Sequence, residues 1–333
     1  QLLCGAQMIV HPDLAPVSRA DGLETQHLSV AGGLRQFGAY VETLAKGAWS
    51  SNRHWHEAED EFLFVLDGTA TLHDDNGLTD LTQGDAITWR QGEPNGHHVT
   101  NRFDTPLRYL IAGARAGFDT CHYPDSGNRL QTGASRWQLF DSQGLLLRAG
   151  DNPPELCNLP PAWGFAYDGS RLPQIHRAQG RAWVLEDAYR HPILGGGLGP
   201  YLHCVLGDAG GLSQFGAHLE RLPAGSGSSF RHWHEAEDEM LLLLAGTPSL
   251  IEDQETVLAP GAVLCWSAGS PIGHRLENRG QTEALYLTLG TRLDRDVIHY
   301  PDHDLITQKD GALRHYLHAD GRPWAAQTPP QPA

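Results

Sequence analysis

Long apolar runs are missing from this chain. No stretch approaches the roughly 20 residues that cross a bilayer, and the N-terminus carries neither the basic segment nor the apolar stretch of a secretory signal. MIVHPD, beginning at Met8, reads as a natural start, with residues 1–7 as an upstream extension. Basic residues are scarce: 24 Lys and Arg stand against 40 Asp and Glu, a formal charge of -16. That balance argues against nucleic acid or an anionic membrane surface as a partner and otherwise serves solubility. Cysteine is sparse as well. Cys4, Cys121, Cys157, Cys204 and Cys265 form no CxxC pair and no dense framework. They suit a reducing, cytoplasmic setting, with the thiols as small buried apolar groups. Phosphate-cradling GxxxxGK[ST], a GxGxxG after a strand, a GxSxG elbow and a helical HExxH are all absent, which removes support for nucleotide hydrolysis, NAD-linked hydride transfer and serine hydrolysis. No helix-turn-helix pattern accompanies the chain, so a DNA-binding regulator is not expected.

What the chain has is turn chemistry and repetition. Its 38 glycines and 21 prolines separate short runs such as EFLFVLDG, DAITW and LRYLIAG. Many short strands joined by turns indicate an all-β sandwich or barrel. The 333 residues suit two domains, and the sequence duplicates itself accordingly. RHWHEAEDE at 53–61 returns at 231–239, and AGGLRQFGA at 31–39 returns as AGGLSQFGA at 209–217. PNGHHVTN at 94–101 is matched by PIGHRLEN at 271–278, and HYPD at 122–125 by HYPD at 299–302. The expected units are therefore 8–140 and 180–326. The proline-containing segment 141–179, with PPELCNLPPAWG at 153–164, serves as a linker and covering arm, and the tail TPPQPA is expected to fray.

The repeated histidines carry the chemistry. His54 and His56 are two apart, so on a strand both point to one face. Glu61 follows at the start of an apolar run, and His97 comes about forty residues later on a strand that can close beside the first. The second copy offers His232, His234, Glu239 and His274. Three imidazoles and one carboxylate suit a divalent transition metal, one per unit: Mn, Fe, Co, Ni, Cu or Zn rather than Ca or Mg. Four protein ligands leave one or two positions of an octahedral ion open to a small molecule. Glu59 and Asp60 compete with Glu61 for the carboxylate role, but only Glu61 keeps the interval to Gly68 that Glu239 keeps to Gly246. His98 competes with His97, but the second copy has Arg275 at that position. Trp55 and Trp233 should face the other side of the strand, and Arg53 and Arg231 should pair with the acidic EAED turn. His122 and His299 are expected in turns, and Tyr109 and Tyr286 as buried rings with bonded hydroxyls.

These motifs resemble the cupin superfamily, whose first motif is G-x5-H-x-H-x3,4-E-x6-G. Here it reads Gly47…His54-Trp55-His56…Glu61…Gly68, with one extra residue after the first glycine. The second motif is lengthened before its histidine, running from Gly92 through His97 to Asn101. The resemblance covers both halves. It implies two tandem antiparallel jelly-roll barrels, a bicupin, whose extra strands cover edges of the neighbouring barrel within the chain or across a homodimer. It also implies a metal-dependent enzyme acting on a small organic substrate. A dioxygenase-type oxidoreductase is the leading expectation. A non-oxidative decarboxylase, isomerase or lyase and a non-catalytic metal-dependent binding protein are the alternatives. Glu61 or Glu239, released from the metal, would act as base, and His98, near neutrality in its unperturbed pKa, as acid or base.

Overall fold

The structure, a computed structural model, describes residues 9–10, 15–153, 156–157, 159, 163–165, 167–170 and 172–324. Met8, Cys4 and the tail from 325 onward lie outside the described residues, as do parts of the 153–164 segment.

Alternating and wholly apolar short runs, punctuated by glycine, produce an almost entirely antiparallel β architecture. Each half folds into a jelly-roll barrel with a long and a shorter sheet face to face. In the first half the long sheet orders Ile175–His176, Ala86–Trp89, Glu61–Asp67, Leu107–Ala114, Phe37–Leu44, Leu23–His27 and Val17–Ala20. The opposing sheet orders Trp55–His56, Asp119–Tyr123, Asn128–Thr132, Arg136–Phe140 and Leu146–Asp151. The second half repeats both: its long sheet is built on Val263–Trp266, Glu239–Ala245, Ala284–Thr291 and Phe215–Leu222, and its shorter one on Trp233–His234, Arg295–Tyr300, Leu305–Asp310 and Leu313–Leu317. A small three-stranded sheet completes each barrel.

Strand pairing carries segments from outside each repeat into the sheets of its barrel. The strand Leu146–Asp151 extends the first barrel's shorter sheet past residue 140. The arm Ile9–Val10 pairs with Val263 and Leu264 of the second barrel, while Ile175–His176 pairs with Ala86 and Ile87 of the first. Each barrel thus caps an open edge with a strand from outside its own repeat, which satisfies backbone groups that would otherwise be exposed. Local patterning carries no trace of this exchange, because a two-residue arm has no periodicity.

The recurring AGGL-x-QFGA segment makes the junction between barrels. A Cβ on Gly32 would lie 2.3 Å from Cβ of Cys265, and one on Gly210 would lie 1.9 Å from Oγ1 of Thr88, so only glycine lets the barrels approach this closely. Phe37 and Phe215 stack across the junction with centroids 6.0 Å apart. Both are buried, and burying such a ring contributes about 1.5–3 kcal/mol. They sit in one core shared by the halves, with separate cores inside each barrel around Tyr109 and Tyr286.

Candidate metal centres

The histidine cluster follows from strand geometry. His54 and His97 exchange backbone hydrogen bonds at 3.1 and 3.0 Å, which makes them direct cross-strand neighbours, with side chains on one face. His56, two residues on, joins them there. Glu61 opens the strand Glu61–Asp67 of the facing sheet and reaches across the barrel. His232, His274, His234 and Glu239 repeat the arrangement.

Inside the first barrel, Nε2 of His97 lies 2.9 Å from Oε2 of Glu61, and Nε2 of His54 and of His56 lie 3.9 and 4.0 Å from Oε1. In the second, Nε2 of His274 is 2.9 Å from Oε2 of Glu239, and Nε2 of His234 is 3.8 Å from Oε1. The opposite ring nitrogens are all engaged elsewhere. Nδ1 of His54 donates to the carbonyl of Asn52, that of His97 to Asn95, and that of His56 to Asp119 at 2.7 Å. His232, His274 and His234 use Phe230, Ile272 and Asp296 in the same way. Placing every proton on Nδ1 leaves the Nε2 lone pairs convergent, the preparation a metal site needs. This donor chemistry fits one divalent transition ion in each barrel. Trp89 and Trp266 stack on His97 and His274 at 3.9 and 3.7 Å and hold those rings flat.

Electrostatics agree with the geometry. Burial opposes the charged form of His56, but the Glu61 charge and the Asp119 hydrogen bond outweigh it and hold the imidazole well above its usual range. Likewise burial works against His234, while Glu239 and Asp296 lift it to about 9. His232 goes the other way, pushed down to about 4 by burial and by the neighbouring His234 and His274 against the pull of Glu239. The carboxylates Glu61 and Glu239 thus favour positive charge at His56 and His234, and a divalent cation would compete with protons for that place.

The structure separates the competing candidates. Glu59 lies beside Nδ1 of His56 and accepts from the amide of Ala116, and Asp60 turns toward the other barrel. His98 does not join the site. Strand alternation points it away from His97, and it bonds the carbonyl of Ser51 and packs against His73. Arg53 pairs with Asp75 and Asp125, and Arg231 with Asp253 and Asp302, rather than with the EAED turn. His122 and His299 stand on strands, not in turns. They stack on Trp55 and Trp233 at 4.1 Å and bond Glu57 and Glu235. Tyr109 and Tyr286 are buried with their hydroxyls on Glu42 and Glu220. Sequence reasoning missed those two glutamates, together with Asp119 and Asp296. All four recur in register, and that recurrence was the available signal.

The cupin domain family matches this chain twice, at residues 40–113 and 218–290. The chain belongs to the cupin superfamily. As a bicupin it resembles the oxalate decarboxylase of Lactobacillus farciminis in its formate complex, with 13% identity over 87% of both chains and a TM-score of 0.51. A mutant of the Bacillus subtilis oxalate decarboxylase matches with 15% identity over 88% of this chain and 80% of that one, again with a TM-score of 0.51. A sugar phosphate isomerase of the cupin superfamily from Silicibacter pomeroyi DSS-3 is 33% identical over 41% of this bicupin and 94% of its own length, with a TM-score of 0.39. No curated protein matches. No helix among the described residues is long and apolar enough to cross a membrane.

The two cupin cavities differ although their ligand sets agree. The first, about 590 Å³, is lined by Ile111, Leu130, Leu156 and Leu159 with Tyr40 and a single cation, Arg115. The second, about 340 Å³, has Thr288 in place of Ile111, His218 in place of Tyr40, and three cations, Arg275, Arg292 and Lys309. Arg275 keeps its Nε buried without a hydrogen-bond partner. Glu220, on the same wall, is bonded by Tyr286 at 2.8 Å. Burial lifts its carboxyl above the usual range, against the hydrogen bonds from Tyr286 and Thr288.

Proposed function

We propose that this bicupin is a metal-dependent enzyme whose C-terminal barrel performs non-oxidative chemistry (decarboxylation, isomerisation or lyase chemistry) on a small organic anion. The observation that carries the reading is the makeup of the C-terminal cavity: three cations and two carboxyls lifted by burial, Glu220 and Glu237, around the Glu239 cluster. The cations, each also paired with a carboxylate of the chain (Arg275 with Glu277, Arg292 with Asp208, Lys309 with Glu237), would share their charge with an anionic head and orient it. A divalent metal there would act as a Lewis acid on a substrate oxygen and stabilise developing negative charge. Glu220, its carboxyl lifted by burial, faces the cavity as a candidate proton donor or acceptor, and Tyr286 orients it. Of the two candidate bases on the metals, Glu61 and Glu239, neither has to leave its place in this scheme, because Glu220 supplies the proton transfer.

The N-terminal site keeps its ligands but surrounds them with Ile111, Leu130, Leu156 and Leu159, the rings of Tyr40 and Tyr123, the carboxyl of Glu59 and one cation, and its single cation suits a structural or modulating role. The dioxygenase expectation rested on the ligand set, which serves either chemistry. The likeness to oxalate decarboxylases is one of fold, so the argument for non-oxidative chemistry comes from the cavity.

The test is a panel of 2-oxo acids, dicarboxylates and sugar phosphates followed by NMR, in air and under argon. Turnover under argon, lost in His234→Ala and retained in His56→Ala, is expected. Turnover that consumes dioxygen would overturn the reading in favour of an oxygenase. Tight binding without turnover would leave a binding protein.

A further inference from the structure

The C-terminal metal cluster has a second cavity on its other flank. This space of about 280 Å³ is lined by Tyr189, Tyr201, Phe230 and Tyr300, with His191. Ser228, Ser229 and His232 line both this chamber and the cationic cavity, so the two meet at the metal ligand. The geometry points to the chamber as the binding site for a flat ring, and hence to an anion carrying an aromatic or similarly planar group as the substrate class. This inference rests on the proposed anion site in the same barrel and says what extends from the anionic head.

Three observations support it. First, the walls are aromatic but do not close on one another. His191 meets Phe230, Tyr300 and Tyr316 edge-on, with centroids 6.1, 5.4 and 5.5 Å away, and the volume between the walls stays open. An apolar cavity of about 150 Å³ holds benzene, so this one has room for a ring and a short linker to the metal. Edge-on and stacked partners are what a π-system prefers. Second, the chamber has a polar handle. Nδ1 of His191 accepts from the amides of Ile193 and Leu194 at 3.1 and 3.2 Å, which places its proton on Nε2. That N–H has no partner among the described residues, and it serves a ring substituent. Burial keeps the imidazole below its usual pKa and therefore neutral.

Third, the first barrel lacks the feature. Where the second has Phe230 and Ile298, the first has Asn52 and Cys121, and of the chamber's aromatic walls it keeps only Tyr123, the match of Tyr300. Tyr189, His191 and Leu198 come from the stretch between the strands Val184–Glu186 and Tyr201–Val205, where the first barrel joins Val17–Ala20 to Leu23–His27 through two residues, so this part of the wall is an addition to the duplicated unit.

The experiment compares phenylpyruvate with pyruvate, which share one anionic head, by calorimetric titration of the full chain with its bound metal. Wild type should bind phenylpyruvate about tenfold more tightly or better. Phe230→Leu and Tyr189→Leu should erase most of that preference while leaving the pyruvate Kd unchanged, which also shows that the variants are folded. Arg292→Gln should weaken both ligands alike. Equal binding of the two ligands, with the Arg292→Gln effect intact, would overturn the ring chamber alone. Binding of neither ligand, or binding indifferent to Arg292→Gln, would overturn the anion site and the chamber with it.

Discussion

Gln36 of the first barrel and Asp238 of the second clasp each other across the junction. The amide of Gln36 donates to Oδ2 of Asp238 at 2.8 Å, and the amide of Asp238 donates to Oε1 of Gln36 at 3.0 Å. Gln214 and Asp60 repeat the exchange in the opposite sense, at 2.9 and 2.7 Å. Asp60 and Asp238 each precede a metal-facing glutamate, Glu61 and Glu239. Each barrel therefore positions the strand that presents the other barrel's carboxylate. Gln214 is fully buried, so Gln214→Ala strips partners from buried Asp60 and from the carbonyl of Ala58. The expected cost is about 2–3 kcal/mol, read as a lower denaturant midpoint with unchanged m-value. Metal content of the N-terminal site should fall with it, which a purely global destabilisation would not produce at low temperature.

Asp119 and Asp296 govern the imidazoles they bond. Each holds one histidine with Nε2 facing its site, and each also accepts from a loop amide, Ala58 or Ala236. Removing such a partner weakens metal binding by about 10- to 100-fold. Asp296→Ala should show that loss in competition with a chromophoric chelator, and Asp119→Ala should show it at the other site only. An unchanged affinity in both would mean that the aspartates serve the loops and not the metals.

How much of this was legible follows from the range of each signal. The His-x-His pair is a two-residue pattern, and the strand rule places both rings on one face without further information. The same rule applied to His97 and His98 sends them to opposite faces, which is where they lie. The clasp was visible only as a recurrence of AGGL-x-QFGA with no meaning attached, because its partners are some 200 residues apart. Asp119 was hidden for the opposite reason: an aspartate before an HYPD segment reads as turn chemistry, and only the bond to His56 shows otherwise. The difference between the cavities depends on strands that approach each other only in the folded barrels.

Acid should loosen the linker from the first barrel through Asp85. Burial raises this carboxyl, but the amides of Thr82 and Ala178 and the Arg177 guanidinium outweigh it and hold the group below its usual range. A depressed pKa stabilises the fold above the unfolded value, about 3.9 for aspartate, and that contribution is lost as pH falls through the folded value. The stability advantage of wild type over Asp85→Asn should be constant near neutral pH and shrink below about pH 4. Denaturant midpoints for both proteins between pH 7 and 3 would measure it, and an advantage independent of pH would assign the role of Asp85 to shape alone.

Metal stoichiometry tests the two centres separately. Both carry the same four donors with the same Nδ1 arrangement, so the protein should hold about two equivalents of a transition metal. His56→Ala and His234→Ala should each hold about one, and the double variant none. Because Glu61 and Glu239 favour the charged form of His56 and His234, loading should release protons, and calorimetry in buffers of different ionisation enthalpy would count them. The occupancy should depend on pH in the same sense at both sites, rising as pH rises and the imidazole protons leave. Full metal content in the double variant would refute the assignment of the histidine clusters as the binding sites, whatever the activity of the protein.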